Sequence, residues 1–505
     1  MIKRNFKKHD NFTLELKNFY PINFKNKSSK FAFDIYFIVP ENLFIYPPFF
    51  DLGDFYKLFK NYVRFKTPRL SYDEIIFILK KLNRYITNYK DINNQLFIKK
   101  VSKEIKLVTL SFCLLIKNSS YYFKSLTNHD DFLTILNRMK SKANKTILLF
   151  KKLKYNEKLI NYKELENIIM ESLEYIYIYL EKFYTKLYFI YEKNFINSEN
   201  KDFISKDGKV NILNDYKNRL NNLKSISYLI SNINKIRIKE NIKETLTTYE
   251  NLVNSSNYLK RKALLKKKFS SVLFLDTARG SASFIFEQII FSIAAGLSML
   301  IATIGTIYSQ SRFSSNLTSI ILLIIVFLYI IKDRLKDFLK FYLLVKLKKY
   351  IYNFKINVLN EDKKKIAKMK EGVWFIKSKD INKKRINVYN FLKNYLNNGE
   401  YDLIHYRKII KTKNKIIRDY VKNYQIDGID DILRFNLEKF NLKMDDSKKK
   451  IKILKDNIGF DTVETIKSYN LYFVMNFYHN KNIETDYYYI ELNRDGILDF
   501  KKINF

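Results

Sequence analysis

Two kinds of stretch in this chain set residues of catalytic type side by side. His9-Asp10 and His129-Asp130-Asp131 each place an imidazole beside carboxylate, the pairing from which a metal phosphohydrolase builds its cation site, because both groups can ligate one divalent ion. The segment Asp427 to Asp446 (DGIDDILRFNLEKFNLKMDD) is the other. Read as a helix, it sets Asp430, Asp431 and Arg434 on one face, with Glu438 and Lys439 nearby and Met444-Asp445-Asp446 closing it, a set from which a carboxylate-dependent nuclease can be made. Each has a simpler reading. Asn128 to Asp131 makes a polar cap for a helix entered at Phe132, and Asp427 to Asp446 makes a capped amphipathic helix. With 92 Lys and Arg and 51 Asp and Glu in 505 residues, such juxtapositions arise by chance. The expectation is therefore no metal and no cofactor.

Absent motifs narrow the chemistry further. Ten glycines include no Walker A loop, no G-x-G-x-x-G and no G-x-S-x-G. The single Cys113 excludes C-x-x-C zinc or redox sites, and His9, His129, His405 and His479 are too scattered for H-E-x-x-H. No catalytic residue is assigned, and the enzyme question leans toward no.

The elements that must position any function begin with Ile289 to Tyr308 (IIFSIAAGLSMLIATIGTIY), which carries no charge. At about 1.5 Å per helical residue it is roughly 30 Å long, the thickness of a bilayer's hydrocarbon core. Leu317 to Ile331 (LTSIILLIIVFLYII) follows after a short polar turn. The two read as a transmembrane helical hairpin, although the second reaches only about 22 Å and a re-entrant hairpin is the alternative. Within the first, Ala294, Ser298, Ala302 and Thr306 repeat every fourth residue, with Ser292 and Gly296 on a neighbouring strip; small residues at this spacing suit close helix packing. Lys266, Lys267, Lys268 and Arg279 lie before the first span, and Lys332, Arg334 and Lys336 after the second, placed to meet anionic lipids of the inner leaflet. That asymmetry predicts both termini in the cytoplasm at the plasma (cell inner) membrane, and no cleavable signal peptide is expected in MIKRNFKKHDNF.

The formal charge of +41 invites nucleic acid as a partner, but lysines are spread along a chain swollen in Asn, Ile, Tyr and Phe, so a solvated surface is favoured and nucleic acid is disfavoured.

The predicted fold class is mainly α within α+β: a β-containing segment 1–70, a helical cytoplasmic region 71–282, the hairpin 283–332, a helical region with short strands 333–455, and a C-terminal antiparallel β-meander 456–505. All five prolines fall within the first 68 residues, leaving long helices free to follow. Strands are expected at Lys30 to Val39, Gly372 to Ile376, Arg385 to Tyr389, Ser468 to Tyr478, Thr485 to Leu492 and Ile497 to Phe500; helices at Tyr406 to Tyr424 and Ile429 to Leu442. The Lys30 to Val39 strand is expected to join the terminal meander. The function that fits best is a membrane-anchored scaffold, signalling or interaction protein whose partners are the bilayer, a protein or a second copy. An oligomeric membrane effector or small pore gated by its cytoplasmic part is the alternative, and a membrane-anchored nuclease or phosphohydrolase a second.

Overall fold

Aromatic and β-branched residues build this molecule in two ways, as strands buried on both faces and as long helices. A computed structural model describes residues 3–23, 25–88, 95–126, 128–156, 162–196, 209–240, 242, 257–312, 318–347, 351–377, 386–396, 400–421, 426–455, 459–479 and 482–504. The chain divides into two units, Met1–Arg64 with Leu275–Tyr420 and Gly428–Phe505, and Phe65–Phe274 with Val421–Asp427.

The first unit opens with β1 (Lys3–Lys8), β2 (Thr13–Pro21), β3 (Ser28–Pro40), α1 (Leu52–Leu58) and β4 (Phe59–Phe65). The chain then builds the second unit from α2 (Tyr72–Asn88), α3 (Gln95–Tyr122), α4 (His129–Lys154), α5 (Lys163–Tyr191), α6 (Lys209–Lys239) and α7 (Asn257–Ser270). It returns through β5 (Asp276–Ser281), α8 (Ser283–Arg312), α9 (Thr318–Leu347), β6 (Phe354–Leu359), β7 (Lys365–Lys377), α10 (Ile386–Asn394), β8 (Tyr401–Lys413), α11 (Asn414–Val421), β9 (Gly428–Asn436) and α12 (Glu438–Asn441). The hairpin β10 (Lys448–Lys455) and β11 (Gly459–Ile466) precedes the closing meander of β12 (Tyr469–His479), β13 (Asn482–Asn493) and β14 (Gly496–Ile503).

In the first unit an eight-stranded sheet, ordered β14-β13-β12-β3-β8-β7-β6-β5, faces a four-stranded sheet, ordered β1-β2-β9-β4. Rings fill the space between them: Phe37 lies 4.8 Å from both Phe435 and Phe473, and Phe59 lies 5.1 Å from Tyr406 and 4.8 Å from Phe435. On the other face of the large sheet Val388 and Phe391 of α10 cover Tyr36, Ile38, Leu403 and Val474. The meander forms as expected, and β12 pairs with β3 in the register Phe473 to Phe37. At the β13–β14 turn Gly496 takes φ +138°, a conformation that side-chain-bearing residues rarely adopt.

Two expected helices are strands. Tyr406 onward belongs to β8, with only Asn414–Val421 helical, and Ile429 to Asn436 lies in β9, with the single turn α12 after it. The physical reason is burial on both faces, which erases the alternation that marks a half-exposed strand and leaves a continuous apolar run. From Ile386 the residues read as a short strand form α10 instead; Arg385 lies outside the described residues, as do Asn197 to Gly208 and part of the turn after His479.

Asp402 on β8 is 5% exposed, and burial, with the like charge of Glu41 adding, raises its carboxyl to about 6. A carboxyl whose folded value exceeds its unfolded value holds its proton more tightly when folded. Its stabilising contribution is present below about pH 4 and is lost as pH rises through about 6. Asp402→Asn is expected to raise stability above pH 7 by up to about 2 kcal/mol, with the gain fading by about pH 4. Urea midpoints across that range check it; a gain independent of pH would trace to packing instead.

In the second unit α5 is buried along most of its length, so the aromatic run Tyr175 to Tyr191 forms helix core. Leu107 to Leu110, Phe112, Cys113 and Ile116 of α3 are likewise buried. Arg237 of α6 is fully enclosed and pairs with Glu181 at 2.9 Å.

Candidate functional site

The feature with the clearest outward chemistry is the pair α8 and α9. They run antiparallel: a Cβ built on Gly305 would stand 2.9 Å from Leu328 Cδ2, and Lys340 Nζ lies 5.3 Å from the centre of the Phe291 ring. Gly305 is what lets the helices approach here, since any side chain would displace Leu328. Ile290, Ala294, Ser298 and Ser309 are buried in the seam. Of the small residues expected to pack, Ala294 and Ser298 are buried, Ala302 and Thr306 are half-buried, and Ser292 and Gly296 are exposed, with nothing within 4 Å of a Cβ at Gly296. The outer surface is apolar: Ile304, Ile307 and Tyr308 of α8 and Leu322, Leu323, Val326, Phe327 and Ile330 of α9 are all exposed.

The expectation of two membrane spans is not supported. Among the described residues one helix, over Phe284–Ser311, is long and apolar enough to cross a bilayer. The reason lies in charge and register. The uncharged part of α9 from Thr318 to Ile331 is only roughly 20 Å long, after which Lys332, Asp333, Arg334, Lys336, Asp337 and Lys340 follow. The contacts of Gly305 with Leu328 and Phe291 with Lys340 set this charged half of α9 beside the apolar first half of α8. Residues 313–317, which join the helices and include the expected first residue of the second span, lie outside the described residues.

The cations expected to meet lipid fall in different places. Lys332 Nζ sits 3.5 Å from the centre of the Tyr329 ring and 3.9 Å from Asp333, while Arg334 is exposed and Lys336 half-buried on the same helix. Arg279 lies on β5 with its guanidinium 3.6 Å above Phe354 and 3.9 Å from Glu371, so its charge is engaged within the first unit. Lys266, Lys267 and Lys268 belong to α7 of the second unit, and Lys268 pairs there with Glu171.

The carboxylates read as a possible nuclease set are separated. Because β9 is a strand, Asp430 and Asp431 point to opposite faces. Asp431 is enclosed between the sheets, where Lys408 Nζ donates to it at 2.9 Å and the Tyr20 hydroxyl donates at 3.3 Å. Glu371 completes the cluster, 3.2 Å from the same ammonium. Burial pushes the Asp431 carboxyl above the usual range, against the pull of Lys408. Asp430 is instead held by Lys17 at 2.9 Å and Arg64 at 3.4 Å, and Arg434 by Glu15 at 2.9 Å. A cavity of about 150 Å³ bordered by Glu371, Asn61, Arg279 and Tyr56 adjoins this cluster. The charges are mutually neutralised, which makes the cluster a cross-brace between the two sheets.

His129 Nδ1 lies 3.3 Å from the Asp130 carboxylate, while its Nε2 meets the Tyr191 hydroxyl at 2.6 Å, and Asn128 caps α4 by accepting from the Asp130 amide at 3.0 Å. His9 and Asp10 occupy a turn in which Asp10 accepts from the Phe12 amide at 3.0 Å. Among the described residues no group of three or more His, Cys, Asp or Glu is placed to hold a metal.

One constellation was hidden from sequence. His405 stacks on Tyr36 with ring centres 4.4 Å apart and lies 5.2 Å from Trp374, its Nε2 is 3.4 Å from Asp34, and Tyr478 donates to Asp34 at 2.6 Å. Burial and, after it, the Asp34 charge raise the Tyr478 phenol well above its ordinary range. Alternation along β3 puts Asp34 and Tyr36 on one face, but only the pairing of β3 with β8 and β12 brings His405 and Tyr478 to them, and no local spacing signals that. Asp34 and His405 are 1% and 5% exposed, which leaves this group packed rather than open to substrate.

Comparison with family models, with curated proteins and with solved structures finds no match to this chain.

Proposed function

We propose that this protein is held at a membrane by the α8–α9 hairpin and acts there as an anchored interaction protein, its hairpin tip entering one leaflet. The observation that carries this reading is the register of the hairpin. From the level of Ile301 and Lys332 the helices are uncharged as far as Ser311 on α8 and Thr318 on α9, for roughly 17 to 20 Å, close to the thickness of half a hydrocarbon core, and Arg312 is the one charged residue at the end of α8. Below it, Lys332, Arg334, Lys336 and Lys340 stand beside α8 at the depth where lipid phosphates would lie. Full insertion of α8 would drag those charges into hydrocarbon at a cost of about 2.5–3.5 kcal/mol each on insertion scales. Entry of the tip alone keeps those four cations at the surface and takes in a single charge, that of Arg312. The lower apolar residues Ile285, Ile289 and Ile293 then occupy the interfacial layer, where apolar and ammonium groups both find partners.

Flotation of the full-length protein with vesicles containing phosphatidylserine tests the anchor. Ile304→Lys with Leu323→Lys is expected to release the protein from vesicles, because two charges at the tip oppose insertion by about 5 kcal/mol together. Full-length protein that never floats would end the reading. Depth is tested separately with Ser311→Cys in a Cys113→Ser background: an impermeant maleimide sealed inside vesicles to whose outer face the protein has bound should not label the tip, whereas labelling would show a complete crossing.

A further inference from the structure

Where α3, α5 and α7 meet in the second unit there is a cavity of about 350 Å³, of the size that takes a small organic ligand. Lys117, Lys182, Lys186, Lys262 and Lys266 line it, and among the described residues no carboxylate does. The excess is built by pairing elsewhere. The acids on this stretch of α5 are already committed, Glu174 to Arg261 at 2.8 Å and Glu171 to Lys268. Among the described residues none of the five lining lysines has a carboxylate partner. One of them is held in place: Lys186 donates to Ser120 Oγ at 2.8 Å and lies 4.4 Å from the centre of the Tyr121 ring.

The rest of the wall is aromatic and aliphatic. Tyr121 is exposed, while Tyr175 and Tyr179 lie deeper with their hydroxyls 3.3 Å apart, and Ile178 and Phe183 add apolar surface. Burial raises both phenols, so they stay protonated and can donate hydrogen bonds at neutral pH. A site with five ammonium groups and an aromatic wall matches a ligand with several negative charges at one end and a flat ring at the other. Inorganic phosphate would leave most of the cations and all of the rings unused. A long nucleic acid needs an open track rather than a cavity.

We propose that this cavity binds a nucleoside polyphosphate, with the lysines holding the phosphates as point charges and the tyrosines contacting the base. Lysine side chains here do what a glycine-rich loop does elsewhere, which reconciles the site with the missing Walker A motif. The assignment is independent of the membrane reading.

Calorimetric titration of the full-length protein with adenosine triphosphate tests it, with pyrophosphate, adenosine, an inositol-bisphosphate lipid in vesicles and a single-stranded oligonucleotide as comparisons. The expected result is saturable binding at one site per chain, displaced by pyrophosphate, and weakened about tenfold or more by Lys182→Gln with Lys186→Gln. If that variant loses its helical circular dichroism, Lys117→Gln with Tyr121→Ala, both at exposed positions, replaces it. No saturation by about 1 mM, affinity unchanged in a folded variant, or tighter binding of the oligonucleotide or of the lipid headgroup would each overturn the proposal.

Discussion

Asp431→Ala is expected to destabilise the first unit by about 3–5 kcal/mol, read as a fall in the urea midpoint. Lys408 is 0% exposed, and among the described residues its ammonium is held by the carboxylates of Asp431 and Glu371. Removing one of the two leaves a cation between two sheets with half its compensation and strips the Tyr20 hydroxyl of an acceptor. Asp431→Asn keeps an acceptor for Lys408 and Tyr20, so its loss should be about half as large. Equal losses for alanine and asparagine would show that charge is not what the cluster supplies. A loss below about 1 kcal/mol for alanine would show that water or a shifted backbone reaches Lys408, contrary to its enclosure.

Glu181→Ala is expected to cost the second unit a similar amount, because Arg237 is fully enclosed and Glu181 lies 2.9 Å from its guanidinium. Asn234 Oδ1, 3.4 Å from the guanidinium, is a neutral acceptor. The paired replacement Glu181→Met with Arg237→Leu should recover most of the loss, since an apolar pair of similar volume removes the desolvation cost of both charges. Hydrogen exchange of α5 and α6 amides, measured for the single and the paired variant, checks the prediction. A paired variant no more protected than the single one would show that the arginine stem, not its charge, holds the helices together.

Sequence made the helical region and the terminal meander legible because each carries a strong local pattern. Helical periodicity runs through Ile75, Leu79, Leu82 and Ile86, all buried on α2, and aromatic runs separated by turn residues mark β12 to β14. The strands β8 and β9 were not legible. Lys408 and Asp431 sit at interior positions, so their charges read as exposure, while apolar residues on both faces read as a helix stripe. The hairpin was half legible: the apolar runs of α8 and α9 stand out, but which residue of one meets which of the other decides the depth, and that depends on Gly305 receiving Leu328. The lysine-lined cavity was invisible because Lys117, Lys182 and Lys262 come together only through packing of three helices, in a chain where lysine is everywhere.

The order of strands in the large sheet has a consequence for biosynthesis. β3, near the start of the chain, lies between β8 and β12, so its two neighbours leave the ribosome hundreds of residues after it does. The helices α2 to α7 need only one another's nearby sequence and can settle first, as local contacts form faster than distant ones. The greasy tip of α8 and α9 therefore emerges while the sheet that will flank its base is still missing its central partners. A nascent chain in that condition carries apolar surface that is prone to association until it is covered.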